Sequence, residues 1–143
     1  MKAHDKQRVI VDTGPLVALL NRSDTAHTWV VRTLQHIAPP MLTCEAVLAE
    51  ASHLTRNLPG AREALLEMMG EGFLAIGMAV ADQHSALLAM VRRYNSVPMS
   101  LADACLVRLA ELHPQSPVLT LDSDFLVYRK NGRHVIPVLM PAR

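Results

Sequence analysis

The stretch VIVDTGPLVALL, residues 9–20, decides the fold prediction. With the preceding arginine it begins as RVIVD, a short β-branched run typical of a strand buried on both faces. Asp12 ends this run, and Gly14-Pro15 turns the chain into a helix predicted to about Asn21, because proline suits the first helical position. A strand followed at once by a helix is the opening unit of an α/β protein. The lone carboxylate at the junction either caps the helix or begins a functional site.

The alternation of strands and helices continues along the chain. Later apolar runs that predict strands are MLTC (41–44), FLAIGM (73–78), PVLTLD (117–122) and HVIPVL (134–139), with helical patterns between them. Short apolar strands that alternate with helices predict a three-layer α/β/α sandwich with a mainly parallel central sheet. We expect one domain over residues 1–143, in which residues 1–7 form a loose N-terminal extension.

Composition argues against several classes of function. Half of the residues are hydrophobic but only 3% are aromatic, so base-stacking platforms are not expected. The formal net charge of +1 creates no overall attraction to nucleic acid or membranes, and such binding would need a local basic patch. Without a visible signal peptide or a run of ~20 apolar residues, we expect a soluble, cytoplasmic protein. Cys44 and Cys105 fit neither a disulfide framework nor a zinc site and are expected in the core.

Three aspartates lie where they could either cap a helix or bind a ligand. Asp12 and Asp122 each end a predicted strand, so both belong at the carboxyl edge of a parallel sheet, where ligands bind. Either could instead cap the helix that follows it. Asp103 stands three residues after Ser100 in SLAD, which is the spacing of a capping box. Taken singly, these acids favour capping.

Glu50 differs because it lies in the middle of a predicted helix and cannot be a cap. Val47, Glu50 and Leu54 share a largely apolar face of that helix. An acid that points into a core is costly unless it is paired, protonated or bound to a cation. A half-exposed glutamate on an alanine-rich helix is the structural alternative.

Together, the four acids indicate a metal site. They come from four separate segments, and no Lys or Arg lies within three residues of Asp12, Glu50 or Asp103. Crowded carboxylates repel one another, and Mg²⁺ or Mn²⁺ resolves that conflict because these ions prefer oxygen ligands. One or two such ions could orient water for in-line attack on a phosphodiester. Neighbouring hydroxyl residues that could support a carboxylate or a water are Thr13, Ser100 and Thr120.

Four motifs, in this order and spacing, resemble the PIN-domain family and its VapC-like toxin ribonucleases in particular. They are VIVDTGPLVALLNRSDTAH, LTCEAVLAEASHL, SLADACLVRLAE and VLTLDSDF, and they cover nearly the whole chain. The resemblance implies a metal-dependent endoribonuclease of single-stranded RNA, which uses Mg²⁺ or Mn²⁺, forms homodimers and is blocked by a small antitoxin protein. The residues at the family's catalytic and metal-binding positions are Asp12, Glu50, Asp103 and Asp122, with Asp124 at a more variable outer position.

Residue roles follow from this resemblance and from the chemistry. Asp12, Glu50 and Asp103 would hold the principal metal, and Asp122 a second ion or the attacking water. Basic residues are then needed for the phosphates of RNA. Candidates are Arg22 and Arg56, which follow the elements that carry Asp12 and Glu50. Alternatives, which fit a solvated face better, are Arg92-Arg93 and the group Arg129, Lys130 and Arg133.

Other readings of the sequence remain open. A non-catalytic PIN-like module that binds RNA or serves in assembly would have the same fold. The phosphatases that form an aspartyl-phosphate need a second aspartate two residues after the first, and Gly14 occupies that position. The methionine-rich helical runs EALLEMM and SALLAMV could form a dimer interface, or they could belong to the core.

Overall fold

The computed structural model describes residues 6–142, so residues 1–5 of the expected loose extension lie outside the described residues. Gln7, near the end of that extension, forms a parallel β-bridge with Ile37. The strands are β1 (Ile10–Val11), β2 (Met41–Thr43), β3 (Leu74–Ile76), β4 (Val118–Leu119), β5 (Arg129–Lys130), β6 (His134–Val135) and β7 (Val138–Leu139). The helices are α1 (Thr13–Leu20), α2 (His27–Leu34), α3 (Glu45–Leu54), α4 (Ala61–Gly70), α5 (His84–Arg93) and α6 (Leu101–Leu112).

Five of the strands form one parallel sheet in the order β3-β2-β1-β4-β7. At its centre, Val9, Ile10 and Val11 are each at most 1% exposed. Because successive side chains of a strand point to opposite faces, helices must cover both faces of the sheet. The α/β fold with a parallel sheet flanked by helices is therefore confirmed.

The order of the strands creates a crevice between β1 and β4. The chain builds one half of the sheet from β1 through β2 to β3, and then β4 joins the opposite side of β1. In open parallel sheets, ligands bind outside the carboxyl ends of the strands at the point where the order reverses. Asp12 directly follows β1 and Thr120 directly follows β4, so both residues lie at this point.

Helix α6 forms the centre of the core. It packs against β1 and β2 and against α3 and α5. A helix that is apolar on nearly all sides is a buried one, and the buried residues of α6 are Ala102, Ala104, Cys105, Leu106, Val107, Leu109 and Ala110. Cys44 is buried as well, so both cysteines are core residues as expected. No helix in the described part of the chain is long and apolar enough to cross a membrane.

The prediction of one C-terminal strand, HVIPVL, was wrong. Ile136-Pro137 divides it into β6, which pairs with β5 in an antiparallel hairpin, and β7, which pairs with β4. Proline has no N–H to give to a strand ladder, which explains the interruption. The Pro137 carbonyl still accepts a hydrogen bond from the Val118 N–H at 2.9 Å. The chain can therefore leave the hairpin and enter the main sheet within two residues.

Candidate metal centre

A cavity of about 430 Å³ lies at the carboxyl edge of the sheet and is lined by all four predicted acids. Asp12 follows β1, Glu50 lies in α3, Asp103 lies in the first turn of α6 and Asp122 follows β4. Four regions of the chain that are far apart in sequence therefore each contribute one acidic residue to the same cavity.

Asp12 is 7% exposed and is held by two hydrogen bonds. Its Oδ1 accepts from the Thr13 N–H and its Oδ2 accepts from the Thr120 hydroxyl, both at 2.7 Å. The Thr120 hydroxyl oxygen in turn accepts from the Asp122 N–H at 2.9 Å. Thr120 thus connects the ends of β1 and β4 and fixes the orientation of the Asp12 carboxylate.

Burial raises the pKa of Asp12 from 3.8 to about 6. The hydrogen bonds from Thr120 and Thr13 act in the opposite direction, and the charges of Asp103 and Asp122 raise the pKa further. Near neutral pH the carboxylate is therefore mostly ionised but poorly compensated. A cation in the cavity would supply the missing compensation.

Asp103 forms the capping box that its spacing predicts. The Asp103 N–H donates to Ser100 Oγ at 3.0 Å, and the Ser100 N–H donates to Asp103 Oδ2 at 3.2 Å. The contribution of Ser100 to the site is therefore indirect, because it sets the direction of the Asp103 side chain at the start of α6. The capping and site interpretations of Asp103 do not exclude each other.

Tyr128 also contacts Asp103, a contact that the sequence did not indicate. Its hydroxyl lies 3.0 Å from Asp103 Oδ2 and 2.5 Å from the Pro98 carbonyl oxygen, and it shares its hydrogen between them. Burial and the charge of Asp103 raise the pKa of Tyr128, so the hydroxyl remains protonated. The hydrogen bonds that the Asp103 carboxylate accepts from the described residues all use Oδ2, so Oδ1 remains available to a cation.

Asp122 and Asp124 lie at the 3₁₀ turn Ser123–Leu126. Asp122 Oδ1 accepts from the Asp124 N–H at 2.9 Å and so caps this turn, the structural alternative considered for it. Asp124 is not among the residues that line the cavity. The negative charge of Asp122, more than any other influence, raises the pKa of Asp124. Asp124 is thus electrostatically coupled to the site from its edge.

The expectation that Glu50 points into the core was wrong. Helix α3 buries only Val47 and Ala51, so its buried stripe is narrower than the sequence pattern suggests. Glu50 is exposed, and Leu54 is 55% exposed beside it. Both residues line the cavity, so this face of α3 forms a crevice wall at Glu50 and Leu54 and a buried contact only at Val47.

The residues of the cavity fit Mg²⁺ or Mn²⁺. Thr13 Oγ1 is buried at the cavity and has no hydrogen-bond partner among the described residues, which leaves a polar atom to be satisfied there. Carboxylate and hydroxyl oxygens are the ligands that these hard ions prefer. Within residues 6–142, no three His, Cys, Asp or Glu side chains already stand close enough to share an ion. Water molecules would complete the coordination, as is usual for Mg²⁺.

The two arginines predicted to bind RNA do not line this cavity. Arg22 is exposed in the loop that follows α1. Arg56 is exposed after α3, and its Nη1 donates to the His53 carbonyl oxygen at 2.9 Å. Their role in RNA binding stays a prediction.

The sheet and the cavity define an α/β protein with a carboxylate-rich pocket at the strand ends. Residues 9–131 match the PIN-domain family, and the chain belongs to that family. The resemblance found in the four motifs is therefore confirmed.

Two solved structures share the fold. The VapC20 toxin of Mycobacterium tuberculosis, described as cleaving the sarcin-ricin loop, matches with a TM-score of 0.71 and 21% identity over 90% of this chain and 99% of that one. A toxin–antitoxin complex from Klebsiella pneumoniae matches with a TM-score of 0.61 and 16% identity over 80% of this chain and 87% of that one. No curated protein sequence is significantly similar to the chain.

Proposed function

We propose that the protein is a metal-dependent endoribonuclease that cleaves single-stranded RNA in the cytoplasm, as the toxin of a toxin–antitoxin pair. One observation carries the proposal: Asp12, Glu50, Asp103 and Asp122 converge on a single cavity at the reversal point of the sheet. Membership of the PIN-domain family supports it. The likeness to a toxin described as cleaving the sarcin-ricin loop is in agreement.

In this proposal the acids hold one or two Mg²⁺ or Mn²⁺ ions. Asp12, Glu50 and Asp103 are the ligands of the principal ion, and Asp122 orients a second ion or the attacking water, with Asp124 at the edge. A bound divalent ion polarises the phosphodiester and lowers the pKa of a bound water. Asp12 is oriented for this by Thr120, and Asp103 by Tyr128 and Ser100.

Two protein partners belong to the same proposal. A small antitoxin would block the cavity, in line with the fold likeness to a chain from a toxin–antitoxin complex. A homodimer is the second expected assembly. For the dimer, SALLAMV is the better candidate of the two predicted runs, because Leu88 lies with exposed Val80 and Leu101 around a surface cavity of about 350 Å³.

The decisive experiment is an RNA cleavage assay with purified, antitoxin-free protein over a titration of Mg²⁺ and Mn²⁺. Asp12→Asn should lower cleavage by about a hundredfold or more, since even residues that only orient metal ligands are worth about 10- to 100-fold. Asp82→Asn, at an exposed acid outside the cavity, is the matched control and should cleave like the wild type. Metal-independent cleavage by the wild type would contradict the proposal. RNA binding without cleavage at any metal concentration would instead support a non-catalytic PIN-like module.

A further inference from the structure

A second charged surface lies at the end of α5 and on the β5–β6 hairpin. We call it the basic hairpin surface. Among residues 6–142, the ion pair is Arg108–Glu111. None of the cations of the basic hairpin surface is therefore paired with a carboxylate in this part of the chain. The members of this surface are Arg92, Arg93, Arg129, Lys130 and Arg133.

Arg93 is the fixed centre of this surface. Its guanidinium lies 5.7 Å from the centre of the Tyr94 ring, a cation–π distance. It also lies near the backbone of Gly132, where an added Cβ would come within 2.9 Å of Arg93 Nη1. A ring and a backbone therefore hold the charge in place without neutralising it.

A cavity of about 280 Å³ opens beside Arg93 and is lined also by Arg129 and Asn131. Glu111 lines the same cavity and would oppose an anion there. Its charge is already compensated, because Oε1 accepts from Arg108 at 3.0 Å and Oε2 accepts from the Asn131 N–H at 2.5 Å. The positive charge of the two lining arginines therefore dominates this cavity.

Arg129 joins the basic hairpin surface to the acidic site. Its Nη1 donates to the carbonyl oxygens of Leu126 and Tyr128 at 2.9 and 3.0 Å, and so closes the 3₁₀ turn that Asp122 opens. Arg129 therefore contacts the backbone of the turn that begins beside Asp122.

Two tyrosines form a second connection. Tyr128 contacts Asp103 through its hydroxyl, and its ring packs edge to face on Tyr94 at a centroid distance of 5.4 Å. The Tyr94 hydroxyl accepts a hydrogen bond from the Arg129 N–H at 2.9 Å. The acidic cavity and the basic hairpin surface are therefore linked through Tyr128 and Tyr94.

We propose that the basic hairpin surface binds the phosphate backbone of the RNA strand next to the bond that is cleaved. This inference rests on the proposed nuclease function. Cations without carboxylate partners fit a repeating phosphate chain that continues out of the acidic cavity. The aromatic rings of this region pack against each other, and Tyr128 is fully buried, so they are not displayed to stack on bases. Phosphate contacts supply affinity and register but little sequence preference.

The test measures binding of a fluorescently labelled single-stranded RNA twelve-mer by anisotropy in EDTA, where metal-dependent cleavage cannot interfere. Arg93→Gln/Arg133→Gln should bind roughly tenfold more weakly at physiological salt. The plot of log K against log salt should also become less steep, by about 0.7 for each lost phosphate contact. The matched control is Arg8→Gln/Arg32→Gln, which removes two exposed arginines outside the surface and should bind like the wild type.

The outcomes separate this inference from the function on which it rests. Wild-type affinity and salt slope in Arg93→Gln/Arg133→Gln would overturn the inference, and metal-dependent cleavage by the wild type would leave the nuclease proposal intact. If the double variant has a less steep salt dependence but the wild type never cleaves RNA, the RNA-binding surface is supported and the nuclease proposal is contradicted. If the double variant lost binding to poly-glutamate but not to RNA, the surface would be a docking site for an acidic protein segment, and the inference would be wrong.

Discussion

At Asp12, a buried carboxylate faces two further acids, and its pKa rises from 3.8 to about 6. Between these two pH values, the Asp12 carboxyl keeps its proton in the folded chain and has released it in the unfolded chain. Folding stability of the metal-free protein therefore falls as the pH rises from about 4 to 6, because the unfolded state binds fewer protons. At neutral pH the ionised carboxylate costs roughly 3 kcal/mol, on the basis of 1.36 kcal/mol for each pKa unit.

The variant Asp12→Asn should remove this pH dependence. We expect its free energy of unfolding, relative to the wild type, to rise by roughly 2 kcal/mol between pH 4 and pH 7 in metal-free buffer. Urea unfolding at both pH values measures the difference. If the difference in unfolding free energy between variant and wild type stays constant with pH, the raised pKa of Asp12 is not the source of the pH dependence. Added Mn²⁺ should raise the melting temperature of the wild type only.

Tyr128 is expected to act as a positioning residue for Asp103. Tyr128→Phe keeps the ring and its edge-to-face packing on Phe125 and Tyr94 but removes the hydroxyl. We expect weaker Mn²⁺ binding and several-fold slower cleavage with an unchanged KM for RNA, at a stability cost of about 1 kcal/mol. Calorimetric titration with Mn²⁺ and cleavage kinetics measure the two effects.

Tyr94→Phe is the matched control for Tyr128. It removes a hydroxyl from the same aromatic cluster, but one that contacts the hairpin backbone instead of an acid. A similar loss of stability with normal Mn²⁺ affinity is expected. Equal losses of Mn²⁺ affinity in both variants would show that Tyr128 contributes only packing and does not position Asp103.

The positions of three acids could be predicted from local sequence, but their surroundings could not. Asp12 and Asp122 end strands, and Asp103 has cap spacing, so each position has a local signal. Glu50 has no such signal. Helical periodicity predicted that it lies in the core, because the wall of a crevice and a core-facing side of a helix have the same apolar pattern. Tyr128 meets Asp103 across 25 residues, a contact that no local pattern encodes.

At the scale of the elements, Gly77 directly after β3 packs closely against Leu109 of α6. A Cβ at this position would come within 2.7 Å of Leu109 Cδ2, and Leu109 is fully buried. The close approach explains why a glycine follows β3, the last strand of its half of the sheet. A larger residue would force β3 and α6 apart or move a core side chain.

Gly77→Ala should therefore destabilise the protein by about 1–3 kcal/mol, the usual cost of one extra methyl group in a packed core. Gly70→Ala is the matched control, because a Cβ there meets open space at the last residue of α4. It should be neutral or stabilising by up to about 1 kcal/mol. Chemical unfolding of both variants provides the comparison. A neutral Gly77→Ala would mean that Leu109 can move aside without loss.

Most elements of the central fold were predictable because each combines an apolar period with a stop signal. The hairpin was not. β5 consists of Arg129 and Lys130, which have neither the β-branched composition nor the alternation of a strand. It forms because the chain turns at Asn131 and Gly132, both with positive φ, and pairs with β6. Backbone pairing in such a short ribbon leaves little trace in composition.

At the scale of the whole molecule, exposed apolar side chains gather at α5 and the start of α6. Leu88 is 46% exposed, and Val80 and Leu101 are similarly exposed around the same cavity. If this face forms the proposed homodimer, Leu88→Glu should give a monomer in sedimentation at micromolar concentration, because a charge would be buried in an apolar interface. Leu66→Glu on α4, where Leu66 is 67% exposed, is the control for the other predicted run. A wild type that sediments as a monomer would end the dimer prediction.

The hydrogen bond between Thr120 and Asp12 joins residues that are 108 positions apart. During synthesis at ~5–20 residues per second, a ribosome adds Thr120 roughly 5 to 20 s after Asp12. Until then the first strand lacks β4 at its side, and the Asp12 carboxylate lacks the hydroxyl that orients it. A nascent chain therefore carries an unassembled site until Thr120 has been added.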